Sequence, residues 1–121
     1  MRSQLTDREA DIMRVLWEHG PSTVTEVRKR LTEPLAYTSV QTFLKILEEK
    51  GFVRHVEEGR QHRFHALVAE AAARQSAVRH LVGKLFRGSS ELLFTQLVAD
   101  NKLKPEQIRR MRKLLAGQDK E

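Results

Sequence analysis

The sequence predicts a mainly α-helical fold with a small β-hairpin wing, namely a winged helix-turn-helix followed by a C-terminal helical region. Three amphipathic helical patterns come first, and after Gly51 the hydrophobic period changes from 3.6 residues to two. The helical period then returns for three more patterns. This order predicts two parts, a winged helix over residues 1–68 and a helical region over residues 69–121.

The first three helices are marked by capping signals as well as by their period. The pattern S/T-x-x-E/Q, which caps a first helical turn, occurs at Thr6, Thr23 and Thr38. The helices predicted from these signals span about residues 7–19, 24–32 and 38–50. Their apolar positions, expected to share one core, are Ile12, Met13, Leu16, Trp17, Val24, Val27, Leu31, Val40, Phe43, Leu44 and Leu47.

The predicted wing begins directly after Gly51. The segment FVRHV alternates between apolar and polar residues, EEGR contains the glycine of a turn, and QHRFHAL alternates again. Three helices followed by a hairpin are the order of elements in a winged helix-turn-helix.

The C-terminal region carries three further apolar stripes at helical spacing. These helices could fold back on the first 67 residues, but that part of the chain already has its own core, so a partner subunit covers them better. We therefore predict that these stripes meet a second copy of the chain and form a homodimer. The residues assigned to this dimer interface are Val78, Leu81, Val82, Leu85, Phe86, Leu93, Leu97, Ile108, Met111 and Leu115.

The third helix has the composition of a DNA recognition helix. Its apolar residues lie on one side, and the N-terminal half of its outward side carries no acidic residue. Hydroxyl, amide and ammonium groups can bond base edges or phosphates in the major groove. The predicted DNA contacts here are Tyr37, Thr38, Ser39, Gln41, Thr42 and Lys45. The competing interpretation is an ordinary polar face, in which Gln41 completes the capping box of Thr38.

The wing supplies a second group of predicted DNA contacts. Arg60, His62 and Arg63 lie at or just past its tip, where they can bind the sugar-phosphate backbone. A solvated hairpin is the alternative, and Glu57 and Glu58 on the other arm weaken the positive potential.

The overall charge and composition exclude several classes of protein. The net charge is +6, which favours a polyanionic partner, and no apolar run is long enough to span a membrane. The absence of cysteine excludes disulfides and thiolate metal sites. The opening MRSQLTDREAD has no apolar leader, so we expect a cytoplasmic protein without membrane insertion.

Catalytic and metal-binding patterns are weak throughout the sequence. His62 and His65 are three residues apart on a predicted strand and therefore face opposite sides, so they cannot share one ion. Glu48 and Glu49 at a helix end are expected to be solvated and not an acid-base pair. We expect no enzymatic activity, no metal and no cofactor.

The sequence resembles the bacterial penicillinase-repressor family of BlaI/MecI-type regulators over nearly its whole length. The most specific matches are Leu16-Trp17, the Ala-Tyr-Thr lead into the third helix, the segment LEEKG at 47–51 and the pair Gly59-Arg60. The resemblance implies a homodimeric winged-helix repressor that binds double-stranded DNA at an inverted-repeat operator.

The same resemblance implies how repression is relieved. Relatives are released from DNA after a membrane-bound metalloprotease sensor, triggered by a β-lactam, leads to a cut in the dimerisation region. Gln96 and Leu97 stand at the corresponding position, where relatives have an asparagine and an aromatic residue. Ile46 stands where relatives often carry arginine.

Two other functions remain open at this point. A winged helix can contact a partner protein in place of DNA. A steep fall of affinity with salt concentration would distinguish DNA binding from protein binding. A small hydrolase is the third class, and it would show itself as turnover that a single polar substitution removes.

Overall fold

The computed structural model describes residues 4–100 and 103–119 of the chain. It shows a mostly helical protein with one three-stranded antiparallel sheet, which confirms the predicted fold class. The elements in chain order are α1 (Asp7–His19), β1 (Ser22–Thr23), α2 (Val24–Arg30), α3 (Tyr37–Glu49), β2 (Val53–Glu58), β3 (Gln61–Ala66), α4 (Glu70–Leu85), α5 (Ser90–Ala99) and α6 (Pro105–Asp119).

The chain divides into two compact units, Met1–Val78 and Arg79–Glu121. The first unit extends past residue 68, the boundary that the sequence predicts, because the start of α4 packs on the first core. Ala73 of α4 contacts this core, and the indole Nε1 of Trp17 donates a hydrogen bond of 2.9 Å to the carbonyl oxygen of Val68. The buried side chains of this core are Ile12, Met13, Val15, Leu16, Val24, Val27, Val40, Leu44, Leu47, Phe52, Val53, Phe64 and Val68.

Two of the three predicted capping boxes are present and one is wrong. Thr6 caps α1 and Thr23 caps α2, each with its glutamate partner in the third helical position. Helix α3 instead begins at Tyr37, with Ala36 as the N-cap and no side-chain cap bond. Thr38 is therefore already inside the first turn, where its carbonyl oxygen accepts a 2.9 Å bond from the Thr42 hydroxyl.

The sheet contains a strand that the sequence analysis missed. Strand β1 pairs antiparallel with β3, so the strand order is β1-β3-β2 and Ser22 lies opposite Phe64. A strand of two residues is too short to show a hydrophobic period, and Thr23 also caps the following helix.

The predicted four-residue turn EEGR is wrong, because Glu57 and Glu58 belong to β2 and the turn consists of Gly59 and Arg60. Gly59 has φ 64°, which suits the first position of a two-residue hairpin turn.

A buried ion pair joins the first helix to the end of the third. Glu9 is 2% exposed, and its Oε1 accepts a 2.7 Å bond from Lys50 Nζ and a 2.8 Å bond from the backbone N–H of Thr6. Burial raises the pKa of the Glu9 carboxyl, but the hydrogen bond and charge of Lys50 and the bond from Thr6 outweigh burial, so the net pKa is lowered. Glu9 is therefore ionised inside the first unit.

The second unit exposes much of its apolar surface. Among the side chains assigned to a dimer interface, Val82 at the start of this unit is buried, whereas Leu85, Leu97 and Leu115 are more than half or about half exposed. Helix α6 continues through Gly117 to Asp119. Within the described residues, none of the helices has both the length and the apolar character that a bilayer crossing requires.

Candidate nucleic-acid interface

Helix α3 separates its buried and exposed faces as the sequence predicts. Val40, Leu44 and Leu47 are completely buried, which orients the helix and leaves the polar positions outward. Of the predicted DNA contacts on this helix, Ser39 is half-buried and the following are exposed: Tyr37, Thr38, Gln41, Thr42 and Lys45. Because no side-chain cap bond forms at the start of α3, Gln41 does not use its amide as a cap.

The Thr42 side chain retains part of its hydrogen-bonding capacity. Its hydroxyl proton is directed to the carbonyl oxygen of Thr38 at 2.9 Å, so the free groups are the oxygen lone pairs and the methyl group. Thr42 can therefore accept a bond from an amino group on a base edge or contact a thymine methyl group.

The wing presents Arg60 at its tip but holds Arg63 internally. Arg63 donates two bonds to Glu58, of 2.7 and 3.0 Å, and one of 2.9 Å to Glu26 of α2. A further bond of 3.2 Å reaches the carbonyl oxygen of Pro21. These contacts fasten the wing to α2, and the two carboxylates offset the charge of the guanidinium.

The ionisation of this cluster agrees with its geometry. The hydrogen bond from Arg63 lowers the pKa of Glu58, and the backbone N–H of Thr23, followed by the charge of Arg63, lowers the pKa of Glu26. The bonds to Glu58 in turn raise the pKa of Arg63. All three side chains are therefore charged at neutral pH.

An open cleft of about 490 Å³ lies between α3 and the wing. It brings the predicted recognition residues Gln41, Thr42 and Lys45 to one side and the wing residue His62 to the other. The remaining lining residues are Glu48, His55 and Phe64. The cleft thus brings together four of the predicted DNA contacts, whereas Tyr37, Thr38, Ser39, Arg60 and Arg63 are not among its lining residues.

Two residues in this cleft were not assigned a role by the sequence analysis. Glu48, expected to be solvated, lies 2.7 Å from Nδ1 of His55 and also accepts a 3.2 Å bond from the His55 backbone N–H. The ring of His55 stacks on that of His62, with centroids 4.3 Å apart and planes 10° apart. Sequence period alone does not indicate these contacts, because they depend on how β2 returns past the last turn of α3.

The described residues contain no group of three or more histidine, aspartate or glutamate side chains that is arranged to hold a metal ion. His62 and His65 lie three positions apart on β3, so their side chains point to opposite faces. Gln41, Thr42, Lys45 and His62 supply the hydrogen-bonding groups that line the cleft, and the charge of Lys45 favours a polyanion there.

Comparison with known proteins identifies the group of proteins to which the chain is similar. The family model described as penicillinase repressor matches residues 5–117. The chain is 24% identical to the penicillinase repressor of Bacillus licheniformis, with 93% of this chain and 89% of that protein covered. It is 30% identical to the transcriptional regulator BlaI of Mycobacterium tuberculosis, with 75% of this chain and 80% of that protein covered.

A solved structure agrees with this assignment. The monomeric form of Bacillus licheniformis BlaI in complex with the blaP half-operator superposes with a TM-score of 0.51 at 31% identity, over 60% of this chain and 90% of that one. The fold, the concave polar surface and the match over residues 5–117 point to the same group of transcriptional repressors. The chain belongs to the penicillinase repressor family.

Proposed function

We propose that this chain is a sequence-specific transcriptional repressor that binds an inverted-repeat operator as a homodimer. The observation that carries the proposal is the cleft in which the exposed polar face of α3 lies opposite the wing. A recognition helix in the major groove reads bases, and a wing on the backbone sets its register. The relative bound to the blaP half-operator supports the same use of this fold.

The second unit supplies the proposed dimer interface. Helices α5 and α6 border an apolar groove of about 390 Å³ that includes Ile108, Met111 and Leu115. Leu85 is 73% exposed and Leu97 is 50% exposed, which is unfavourable in water. Pairing of two copies through these helices would cover the exposed leucines and bring two recognition helices to one operator.

Release by proteolysis is the proposed route to derepression. A membrane-bound metalloprotease responding to a β-lactam or another cell-envelope signal would cut near Gln96 and Leu97. These residues lie within α5, so a cut there would divide the proposed interface and leave α3 intact. Co-expression with such a protease, followed by mass spectrometry of the fragments, tests the site, and fragments that end elsewhere would contradict it.

Operator titration over a range of salt concentrations distinguishes DNA binding from the alternative, a winged-helix module that binds a partner protein. DNA binding releases counterions, so the logarithm of the affinity falls linearly with the logarithm of the salt concentration. A chain that protects no sequence in its own promoter from nuclease digestion would favour the protein-interaction module.

Thr42→Ala and Lys45→Ala are each expected to weaken operator binding without changing the fold, because both side chains are exposed on α3. If Thr42 contacts one base, its loss reduces discrimination at that base pair by about 1 to 3 kcal/mol. Fluorescence anisotropy on operators with single substitutions measures the effect. Thr42→Ser keeps the hydroxyl oxygen and is the matched control. Unchanged affinity in both alanine variants would remove α3 from its proposed role.

Arg60→Ala is expected to weaken binding to all DNA sequences by a similar factor, because the tip of the wing contacts phosphate and not bases. The slope of log affinity against log salt should become shallower by about 0.9, the value for one phosphate contact. Lys113→Ala removes a positive charge from α6 and should leave the slope unchanged. A changed base preference would show instead that the wing reads sequence.

A further inference from the structure

The cleft contains a contact network that joins the two DNA-binding elements to each other. Glu48 belongs to the last turn of α3, His55 to β2 and His62 to β3, next to the tip of the wing. We infer that Glu48 is a positioning residue, which holds His55 and through it places the His62 ring against the DNA backbone. This inference rests on the proposed function, DNA binding.

The hydrogen bonds of Glu48 define the orientation of the His55 ring. Both carboxylate oxygens lie close to Nδ1, at 2.7 and 2.8 Å, and an ionised carboxylate can only accept. In this contact the Nδ1–H group of His55 is the hydrogen-bond donor and Glu48 is the acceptor. A third contact, the 3.2 Å bond from the His55 backbone N–H, ties the strand itself to the same side chain. One carboxylate thus restrains both the ring and the backbone of β2.

The strand register transmits this restraint to His62. His55 lies directly opposite Phe64 in the β2-β3 ladder, and His62 lies two residues before Phe64 on the same face. Phe64 is buried and anchors that face on the core. The stacked arrangement of the two imidazoles, 4.3 Å apart, leaves the exposed His62 ring on the wall of the cleft that faces Lys45.

This arrangement gives the wing a defined position relative to the recognition helix. The sugar-phosphate backbone of a DNA strand lying in the cleft would contact the Lys45 ammonium on one side. It would contact the His62 imidazole on the other side. Preorganised groups bind more tightly because less side-chain and loop entropy is lost on association. Glu48 contributes to affinity in this way although its own charge repels DNA.

The direction of the change in DNA affinity on replacing Glu48 shows whether this residue acts by positioning His55 or only through its own charge. Removing a carboxylate from a DNA-binding surface by itself strengthens binding, since the repulsion from phosphate is lost. Loss of the positioning contact weakens binding. Glu49 is the matched control, because it is the next residue in the same helix turn, is exposed and makes no ion pair within the part of the chain that the structure describes.

The experiment compares Glu48→Ala with Glu49→Ala in the full-length protein, by fluorescence anisotropy on the operator at 25 °C. We expect Glu48→Ala to bind the operator on the order of tenfold more weakly than the wild type. Glu49→Ala should bind as well as the wild type or slightly better. Glu48→Gln keeps one acceptor for His55 and should lie between Glu48→Ala and the wild type. Thermal unfolding of each variant verifies that all are folded at 25 °C.

A double-mutant cycle with His62→Ala tests whether Glu48 acts through the wing. If it does, adding Glu48→Ala to His62→Ala costs little further affinity, because the ring that Glu48 positions is already gone. Additive losses, or a Glu48→Ala variant that behaves like Glu49→Ala, would overturn the inference while leaving DNA binding in place. Absence of specific operator binding by the wild type would instead contradict the proposed function.

Discussion

Residues 1–78 alone are expected to bind a complete operator at least about 100-fold more weakly than the full chain. The two half-sites of an inverted repeat are bound by one dimer, so the second recognition helix binds at a high effective concentration, which typically adds a factor of about 10² to 10⁴. The shortened chain retains the hydrophobic core and the whole of α3, but it lacks most of the proposed dimer interface. Analytical ultracentrifugation and operator titration on the same samples measure both effects.

A single half-site provides the internal control for this prediction. Both forms should bind one half-site with similar affinity, because the reading surface lies entirely within the first unit. In the full chain, Leu97→Lys should dissociate the dimer, whereas Thr95→Lys adds the same charge to α5 away from the apolar stripe and should not. A monomeric full-length protein, or equal operator affinity of the two forms, would show that the C-terminal helices have another purpose.

Lys50→Met is expected to reduce the free energy of unfolding by about 3 to 5 kcal/mol at neutral pH. The substitution leaves the Glu9 carboxylate buried without its cationic partner, and breaking one side of a buried ion pair typically costs this amount. Denaturant unfolding followed by circular dichroism measures it. Lys45→Met, the same change at an exposed position within α3, should cost much less than Lys50→Met.

The pH dependence of the Lys50→Met effect follows from the direction of the Glu9 pKa shift. In the wild type the folded-state pKa is lowered, so the stabilisation is present above the unfolded-state value, taken as 4.5, and is lost as pH falls through the folded-state pKa. In the variant, Lys50 no longer lowers the pKa of Glu9, so the carboxyl binds a proton at a higher pH than in the wild type. The stability difference between the two proteins should therefore shrink as the pH falls from 7 to below 4.5. A difference that stays constant over this range would falsify the assignment of the cost to Glu9.

Local signals in the sequence were sufficient to predict the element order. The capping boxes at Thr6 and Thr23 involve atoms only three residues apart, and the change of hydrophobic period after Gly51 is a property of one short segment. The buried face of α3 was likewise predicted from the spacing of its own apolar residues. For these features, the physical causes lie within a few residues of one another, and therefore the sequence pattern contains them.

The sequence by itself determined the winged-helix order, the buried face of α3 and the position of the wing, whereas the tertiary structure alone decided the partners of the charged side chains. Arg63 stays a predicted DNA contact, and it also bonds Glu26, 37 residues away, because β3 pairs with β1 beside α2. Glu48 contacts His55 only when β2 folds back against α3. Lys50 bonds Glu9, which is 41 residues away in the chain. Hydrophobic burial is roughly proportional to area and is visible as a period, but an ion pair or hydrogen bond requires a particular distance and angle between two groups. Those distances are set only when the helices and strands pack together. The hydrophobic period of the sequence therefore does not predict these contacts.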